Sequence, residues 1–566
     1  MKGKIVIVHC ASTGVNYIDD IISCGYEPVI VKVDYAGTEE DKALTATQDK
    51  ADAKRFKNIK IIQYDPDYQV ILKQVRELSP KLILAGSEFG VELALHLSND
   101  LGLPSNPEKL LKAMTHKDAM HESLKRYGIR YIRGKVVSTL EEAIEFYETL
   151  DSERAVVKRT RGFGTQGVTL CDNREEFIRT ITNELGRQST MDSEQIDVMV
   201  QERIEGSEYI VNTVTCQGEH YLTSMWKYHK VLLSNGTNAY SSLENITHME
   251  IGYTEMVNYA FEVLDAIGIE CGPVHAEFMI DEKGPVLIEI NCRPMGGAFD
   301  RKFLDKLYGH HETDLILDSF LNPEDFKKVR QKIYEPIRKG CLKIFIFKED
   351  MKADSAPVLS LCQRLKSYHS SIFDRVGRDS FMRKTNNLET NGGYVYLVHD
   401  DERILDSDKD LLHRLEMDFP KLLFQDATEI NDVKTVDRDI VSIMKARPCR
   451  GNTLIVSDRS DDADISSETL YATVISPNEI YEAYDSYEQV ILDITQEESF
   501  MDLEILFRQI MEAINKIRPT GCVLIPKSTY LRMPYGSSGM EALLIVAGVR
   551  IEVPDSGKDR VLVGRV

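Results

Sequence analysis

Ala155-Val-Val-Lys-Arg-Thr-Arg-Gly-Phe-Gly-Thr-Gln-Gly-Val-Thr-Leu170 is the stretch on which the fold turns. Ala155 to Val157 reads as a buried strand, three glycines follow, and Val168-Thr-Leu-Cys171 reads as a second strand. Gly162, Gly164 and Gly167 spell G-x-G-x-x-G, which in a dinucleotide-binding unit closes a strand and opens a helix. Here the helix waits until after the Asp172-Asn173 cap, so that reading fails. A strand, a glycine loop and a returning strand make a flap instead. Its backbone N–H groups can lie over phosphates, because glycine permits close approach and unusual torsions. Lys158 near the strand end, with Arg159 and Arg161 in the loop, adds positive charge. An ordinary glycine-rich hairpin has the same signature, and this segment alone does not separate the two.

Further along, His275-Ala-Glu-Phe-Met-Ile-Asp281 precedes Val286-Leu-Ile-Glu-Ile-Asn-Cys-Arg-Pro294, with Asp281-Glu-Lys-Gly284 as the turn. Side chains alternate along a strand, so Glu289 and Asn291 project to one face. Antiparallel pairing would bring Glu277 to them. Hard oxygen donors suit magnesium, which takes a few protein ligands and completes its shell with phosphate and water. Arg293 suits a transferring phosphoryl group. The plain alternative is that both glutamates line the polar face of a half-buried sheet. Unpaired carboxylates among Ala276, Phe278, Ile288 and Ile290 would be costly there.

Working toward the N-terminus, short apolar runs alternate with helical segments: strands at Lys4–His9, Glu27–Val33, Lys60–Gln63 and Lys81–Ala85, helices at Tyr17–Ser23 and Val70–Leu78. That alternation predicts a parallel sheet covered on both faces. A second unit starts near Ala113. A third, about 340–429, has short strands and a helix at Lys409–Met417, and an α/β segment follows from about Asp437.

At 566 residues the chain should form several domains. Lys and Arg number 69 against 91 Asp and Glu, a net charge of −22. Such a surface repels nucleic acid and anionic membranes. No apolar run approaches the length of a membrane span, and the start lacks the pattern of a signal peptide. The ten cysteines are scattered without a C-x-x-C pair, which reads as reduced thiols in a cytoplasmic protein.

Taken in order, these motifs resemble the ATP-grasp superfamily, and within it the L-amino-acid ligase-like carboxylate–amine ligases, over about residues 1–430. Ala85-Gly-Ser-Glu-Phe-Gly-Val91 and Leu101-Gly-Leu-Pro104 look like the end of the preceding domain. The resemblance implies ATP and Mg2+ as cofactors, with Mn2+ as a substitute. His116-Lys-Asp-Ala-Met120 is similar to the segment of the first ATP lysine, making that Lys117, and Lys158 matches the second. Gly162, Gly164 and Gly167 become the phosphate flap. Gln201-Glu-Arg-Ile-Glu-Gly-Ser-Glu208 resembles the adenine hinge: Gln201 and the backbone from Glu202 to Ile204 would meet the base, and Glu208 the ribose. Met225-Trp-Lys-Tyr-His-Lys230 resembles the phosphate-facing lysine segment, with Lys230 favoured over Lys227. Glu277, Glu289 and Asn291 match the metal set, and Arg293 joins Lys230 as catalytic.

The implied fold is α/β, with α+β ATP-grasp lobes: a Rossmann-like domain over 1–112, a two-lobed ATP-grasp domain over 113–335, a small lid domain over 336–432 and an accessory α/β domain over 433–566. The last faintly resembles the second half of a class I methyltransferase, without an evident Gly-rich loop, and is expected to serve docking or dimerisation. The implied reaction activates a carboxylate as an acyl phosphate and joins it to an amine, releasing ADP and phosphate. Its partners are small-molecule acid and amine substrates, with no nucleic acid or membrane and a homodimer as the commonest assembly. The competing readings are a biotin-carboxylase-like or purine-pathway ligase, and a nucleotide-binding regulatory protein. Arg159 departs from the family, many of whose members have proline there. Gly296-Gly297 reads as a close approach to substrate or a simple turn. His275, His310, His311 and Trp226 read as pocket lining or as packing.

Overall fold

The computed structural model describes residues 2–33, 56–160, 168–185, 198–232, 238–249, 251–297, 299–330, 334–373, 375–377, 380–385 and 390–424, and parts of 453–565. The chain divides into two compact units, residues 1–229 with 243–339, and residues 230–242 with 340–566.

The first unit opens with four parallel strands, β1 (Lys4–Val8), β2 (Glu27–Val31), β3 (Lys60–Ile62) and β4 (Leu82–Ala85), in the order β3-β2-β1-β4. Val, Ile and Leu fill these strands because both faces are covered. On one side Ile5, Ile7 and Leu84 meet Ile18 and Ile21, together with Ile316 and Leu317 from far along the chain. On the other, Val6 and Val8 meet Ile71, Val75 and Leu97. At the strand ends the backbone at Gly14 lies so close to Gly86 that a Cβ would meet the Gly86 carbonyl oxygen at 2.0 Å. Only glycine fits there.

A smaller sheet follows, with β5 (Gly134–Val137), β6 (Ala155–Arg159), β7 (Thr169–Cys171) and β8 (Val198–Glu202) in the order β5-β8-β6-β7. β6 and β7 are the antiparallel pair read from the opening stretch, with Ala155 opposite Cys171. The helix Arg174–Glu184 begins at Asn173, whose side chain accepts the Glu176 N–H, as an N-cap should. β9 (Ser207–Cys216) lies between β10 (Glu219–Leu232) and β12 (Gly272–Asp281), and β12 pairs with β13 (Gly284–Asn291); all are antiparallel. The helices Lys117–Arg126 and Ile251–Ile267 cover this sheet through Met120, Leu124, Met256 and Val263, which pack on Val211, Ala276, Leu287 and Ile290. The residues of β10 and β11 (Asn238–Asn245) are divided between the two units.

The second unit contains β14 (Lys339–Ile344), β16 (Tyr368–Ile372) and β18 (Tyr394–His399), with β18 between the others, and a small ribbon of β15 (Met351–Lys352) and β17 (Phe381–Met382). The helix expected at Lys409–Met417 starts earlier, at Glu402, because the Asp401 side chain caps it by accepting the Arg403 N–H. Beyond it, β19 (Thr453–Ser457), β20 (Ala472–Ile475), β21 (Tyr487–Asp493) and β22 (Ile517–Pro526) are parallel. β23 (Arg550–Glu552) and β24 (Val561–Arg565) close the sheet in the order β20-β19-β21-β22-β24-β23, with β24 antiparallel to both neighbours. No disulfide joins the nine described cysteines.

The second unit contains a buried ion pair. The Lys343 ammonium is 2.7 Å from Glu416 Oε2 and donates to the carbonyls of Ile344 and Ser241; both side chains are at most 2% exposed. Glu416 also accepts the Ile346 N–H. Removing one charge strands the other in a low-dielectric interior. Glu416→Gln should therefore cost about 3–5 kcal/mol in a denaturant titration. The Lys343→Met, Glu416→Leu double variant should recover much of that loss.

Candidate active site

The site is built around the β12–β13 pair. Glu277 stands directly opposite Glu289, and His275 opposite Asn291, with a bulge after Glu277. The Asn291 amide donates to Glu289 Oε1 at 3.4 Å. The three oxygen donors read from the sequence thus converge. Lys117, first residue of the helix Lys117–Arg126, places its ammonium 2.5 Å from Glu289 Oε2. Its backbone N–H donates to the Thr160 carbonyl, 3.1 Å away, which ties the helix start to the end of β6. Lys158 lies on β6 opposite Met199 and is buried. Burial and then Lys117 push its pKa down to about 7, against the pull of Glu289 and Glu277. Burial alone would raise Glu289, but Lys117 and Lys158 hold it below the usual carboxylate range.

His275 fixes the geometry around Glu277. Asn212 donates through Nδ2 to Ser224 (2.8 Å) and to the Met295 sulfur (3.1 Å). Its Oδ1 is therefore an acceptor for His275 Nδ1, 2.8 Å away. Burial and Arg293 keep His275 neutral, so Nε2 presents a lone pair to Glu277 Oε1 at 3.3 Å. Two acceptors at that distance need a proton or cation to share. In the same way the Lys117 ammonium stands in for positive charge at Glu289. This donor set therefore fits a divalent metal bound with phosphates.

Arg293 Nε is 3.4 Å from Glu88 Oε2, and its Nη1 donates to the Pro294 carbonyl. Glu88 lies just past β4, so the first sheet aims the guanidinium. Tyr228 on β10 is a further neighbour of the acidic set. Burial, with Glu277 and Glu208, raises its pKa well above the phenolic range. Neither Glu88 nor Tyr228 was singled out from sequence. Their signals, an acid in a post-strand turn and a tyrosine two residues before Lys230, are too common to select them.

Glu208, on β9, is buried opposite Met279. Gln201 is buried on β8, and its Nε2 has no hydrogen-bond partner among the described residues. Glu202 is committed elsewhere. Its carboxylate accepts the Arg133 N–H at 2.8 Å, and its own N–H donates to the Arg133 carbonyl. Arg159 differs from the expected loop position. It ends β6, on the opposite side from Lys158, with Nη2 3.8 Å from Glu184 Oε2 and both side chains little exposed. Arg161, Gly162, Gly164 and Gly167 lie outside the described residues. Lys230 falls in the second unit, its ammonium 4.6 Å from the Tyr240 ring centre. Lys227, in the first unit, sits 5.6 Å from the Tyr209 ring centre.

The comparisons with known proteins identify what the chain is similar to. A family profile described as an ATP-grasp domain matches residues 152–301. Dapdiamide A synthase of Enterobacter agglomerans is 29% identical over 326 residues, which cover 57% of this chain and 75% of that protein. A phosphoribosylamine–glycine ligase of Methanothermobacter thermautotrophicus is 28% identical over 250 residues, 38% of this chain and 56% of that protein. Among solved structures, the L-amino acid ligase from Bacillus licheniformis covers 73% of this chain and 97% of its own with a TM-score of 0.58 at 15% identity. N5-carboxyaminoimidazole ribonucleotide synthetase from Thermus thermophilus covers 75% of this chain and 99% of its own, with a TM-score of 0.53 at 14% identity. Residues 152–301 are an ATP-grasp domain. The chain's class is that of the ADP-forming carboxylate–amine ligases, which use ATP and a divalent metal. No described helix is long and apolar enough to cross a membrane.

Lys158 supplies a test with a definite sign. In the nucleotide-free enzyme it loses its proton as pH rises through about 7, and a bound triphosphate favours the charged form. ATP binding near pH 8 should therefore take up a proton, seen by calorimetry in buffers of different ionisation heat. Lys158→Met should abolish that uptake and weaken ATP binding roughly 10- to 100-fold.

Proposed function

We propose that this enzyme phosphorylates the carboxylate of an amino acid with magnesium ATP and transfers the acyl group to an amine, making an amide or peptide bond. The observation that carries the reading is the opposition of Glu277 and Glu289 in register, flanked by Lys117 and Lys158 and followed by Arg293. A binding module needs no such paired acids beside paired lysines.

On this reading Lys117 exchanges Glu289 for phosphate when ATP arrives, and Lys158 becomes fully charged against the phosphates. Glu277, Glu289 and Asn291 would hold magnesium, which supplies charge neutralisation across the outer phosphates. A substrate carboxylate oxygen attacks the γ-phosphorus as the bond to the β,γ-bridging oxygen breaks, and ADP leaves. Arg293, aimed by Glu88, meets the charge that develops on the transferring group. The amine nitrogen then attacks the acyl carbon, phosphate departs with the bonding pair, and the nitrogen gives up a proton. Water would hydrolyse the acyl phosphate, so the reaction requires that it be excluded from the site. Lys230 is proposed as a further phosphate contact, on the resemblance of the Met225–Lys230 segment to the phosphate-facing lysine segment. Gln201, the backbone from Glu202 to Ile204 and Glu208 are proposed to hold adenosine. Scattered free thiols suit a reducing cytosol.

The direct test is phosphate release from magnesium ATP across amino acids, singly and in pairs, with products weighed by mass spectrometry. Release should need two partners and yield their summed mass less one water. ATP bound but never cleaved with any pair would contradict the reading. Glu289→Gln, which keeps the side-chain volume, should leave the far-ultraviolet spectrum unchanged and lower turnover roughly 100-fold or more. Near-normal turnover would remove Glu289 from the metal set.

A further inference from the structure

Beside the phosphate-facing groups the first unit has a small, partly open pocket. Trp226, Phe299 and Tyr308 form its walls, and all three are buried. The ring centres of Phe299 and Tyr308 lie 5.1 and 6.0 Å from that of Trp226. The indole N–H is already donated to Ser224 Oγ at 3.0 Å, so the indole offers the space only its ring. Asn212 and Met295 also line the cavity. Asn212 is the partner of His275 described above, and Met295 lies two residues beyond Arg293. The cavity therefore adjoins the reacting groups.

Its notable member is Glu312, first residue of the helix Glu312–Leu321 and only 7% exposed. Glu312 Oε2 accepts the Met295 N–H at 2.9 Å, while Oε1 has no hydrogen-bond partner among the described residues. The cations nearby are engaged. Arg293 faces Glu88. His311 bridges Asp20, at 3.0 Å from Nε2, and Asp305, at 2.7 Å from Nδ1. Burial opposes charge on His311, yet Asp20 and Asp314 raise its pKa to about 9, so it is an imidazolium already paired. Thr223 Oγ1, also on the cavity wall, likewise has no partner among the described residues. Burial raises the Glu312 pKa to about 7 against the pull of the Met295 N–H and Arg293, and a cationic ligand beside Oε1 would hold the carboxylate charged. An aromatic box with one buried carboxylate selects an alkylammonium, which gains from the ring faces and from the ion pair together.

We propose that this cavity receives an ammonium group of the substrate whose carboxylate is activated, with Glu312 as counter-ion and Trp226, Phe299 and Tyr308 as walls. An ammonium held by a carboxylate has no lone pair with which to attack an acyl phosphate. The amino group bound here is therefore kept out of the reaction and survives free in the product. Assigning the ligand as the acid substrate rests on the ligase reading; the cavity's preference for an ammonium does not.

Trp226 is the chain's single tryptophan, so binding can be read without turnover. The full-length protein, with magnesium and a non-hydrolysable ATP analogue, is titrated with each L-amino acid while its emission is followed. The same is done with the acids lacking the α-amino group and with acids carrying only a terminal amino group. The expected result is a saturable change with at least one amino acid, at roughly 10- to 100-fold higher affinity than its des-amino counterpart. Glu312→Gln, which still accepts the Met295 N–H, should erase that preference and leave des-amino binding and ATP affinity unchanged. Whether the α- or the terminal amino compound binds tells which ammonium is held. No response to any amino acid, equal binding of the des-amino acid, or an unaltered preference in Glu312→Gln would each overturn the proposal. If the variant fails to fold, the wild-type comparison of each amino acid with its des-amino acid still decides. Saturable ammonium-selective binding without ADP formation, measured alongside, would retain the cavity assignment and sink the ligase reading instead.

Discussion

Two glutamates that stand opposite each other on neighbouring strands cannot both be charged and buried without compensation. That constraint organises the first unit. β12 and β13 bring Glu277 and Glu289 into register, and the helix Lys117–Arg126 starts where its first side chain can reach Glu289. β6 brings Lys158 into the same field. Two acids and two lysines balance in the empty protein. The balance is poised, because burial and Lys117 pull the Lys158 pKa down to about 7. On the proposed reading, Lys117 and Lys158 would meet phosphate oxygens in place of Glu289, and Glu289 would meet a cation in place of the lysine.

The first sheet takes part in the same site. Glu88 aims Arg293. Thr13 Oγ1 accepts the Phe299 N–H at 3.0 Å, and Asn16 donates to the Phe299 carbonyl at 2.9 Å. Asp20 holds both His311 and Thr313. All of these follow β1 or β4, at the carboxyl ends of parallel strands, where open α/β sheets place their ligands. The loop after Arg293 and the start of the helix Glu312–Leu321 are thus braced by residues almost 300 positions earlier. A change to Asp20 or Thr13 would act on substrate binding through position rather than contact.

Much of this was legible in the sequence because the signals are local and periodic. The antiparallel 155–171 pair, its Asn173 cap and the alternation of Glu289 with Asn291 need only period two and turn chemistry. The same rule should have corrected Arg159. It adjoins Lys158 on a strand, so it must face the other way, and Glu184 receives it. Glu88, Tyr228 and Glu312 were not legible. Each acts by a contact across the sheet or across a long sequence separation, and no spacing encodes that. Glu312 in particular reads as an ordinary acid in the first turn of a helix, a common and stabilising position. Only its burial and its unpartnered oxygen distinguish it. The place of β24 between β22 and β23 was likewise not legible, since no spacing encodes strand order.

The central claim is that these four charged side chains and Arg293 serve transfer of the γ-phosphoryl group to a carboxylate. The measurement that tests it most directly is the fate of carboxylate oxygen. The acid substrate is labelled with 18O in its carboxylate, turned over with unlabelled ATP and the amine, and the released phosphate weighed. The account predicts one 18O atom in each phosphate, because the acyl–oxygen bond breaks when the amine attacks. Phosphate free of label, with amide still formed, would show that the carboxylate was never phosphorylated and would contradict it.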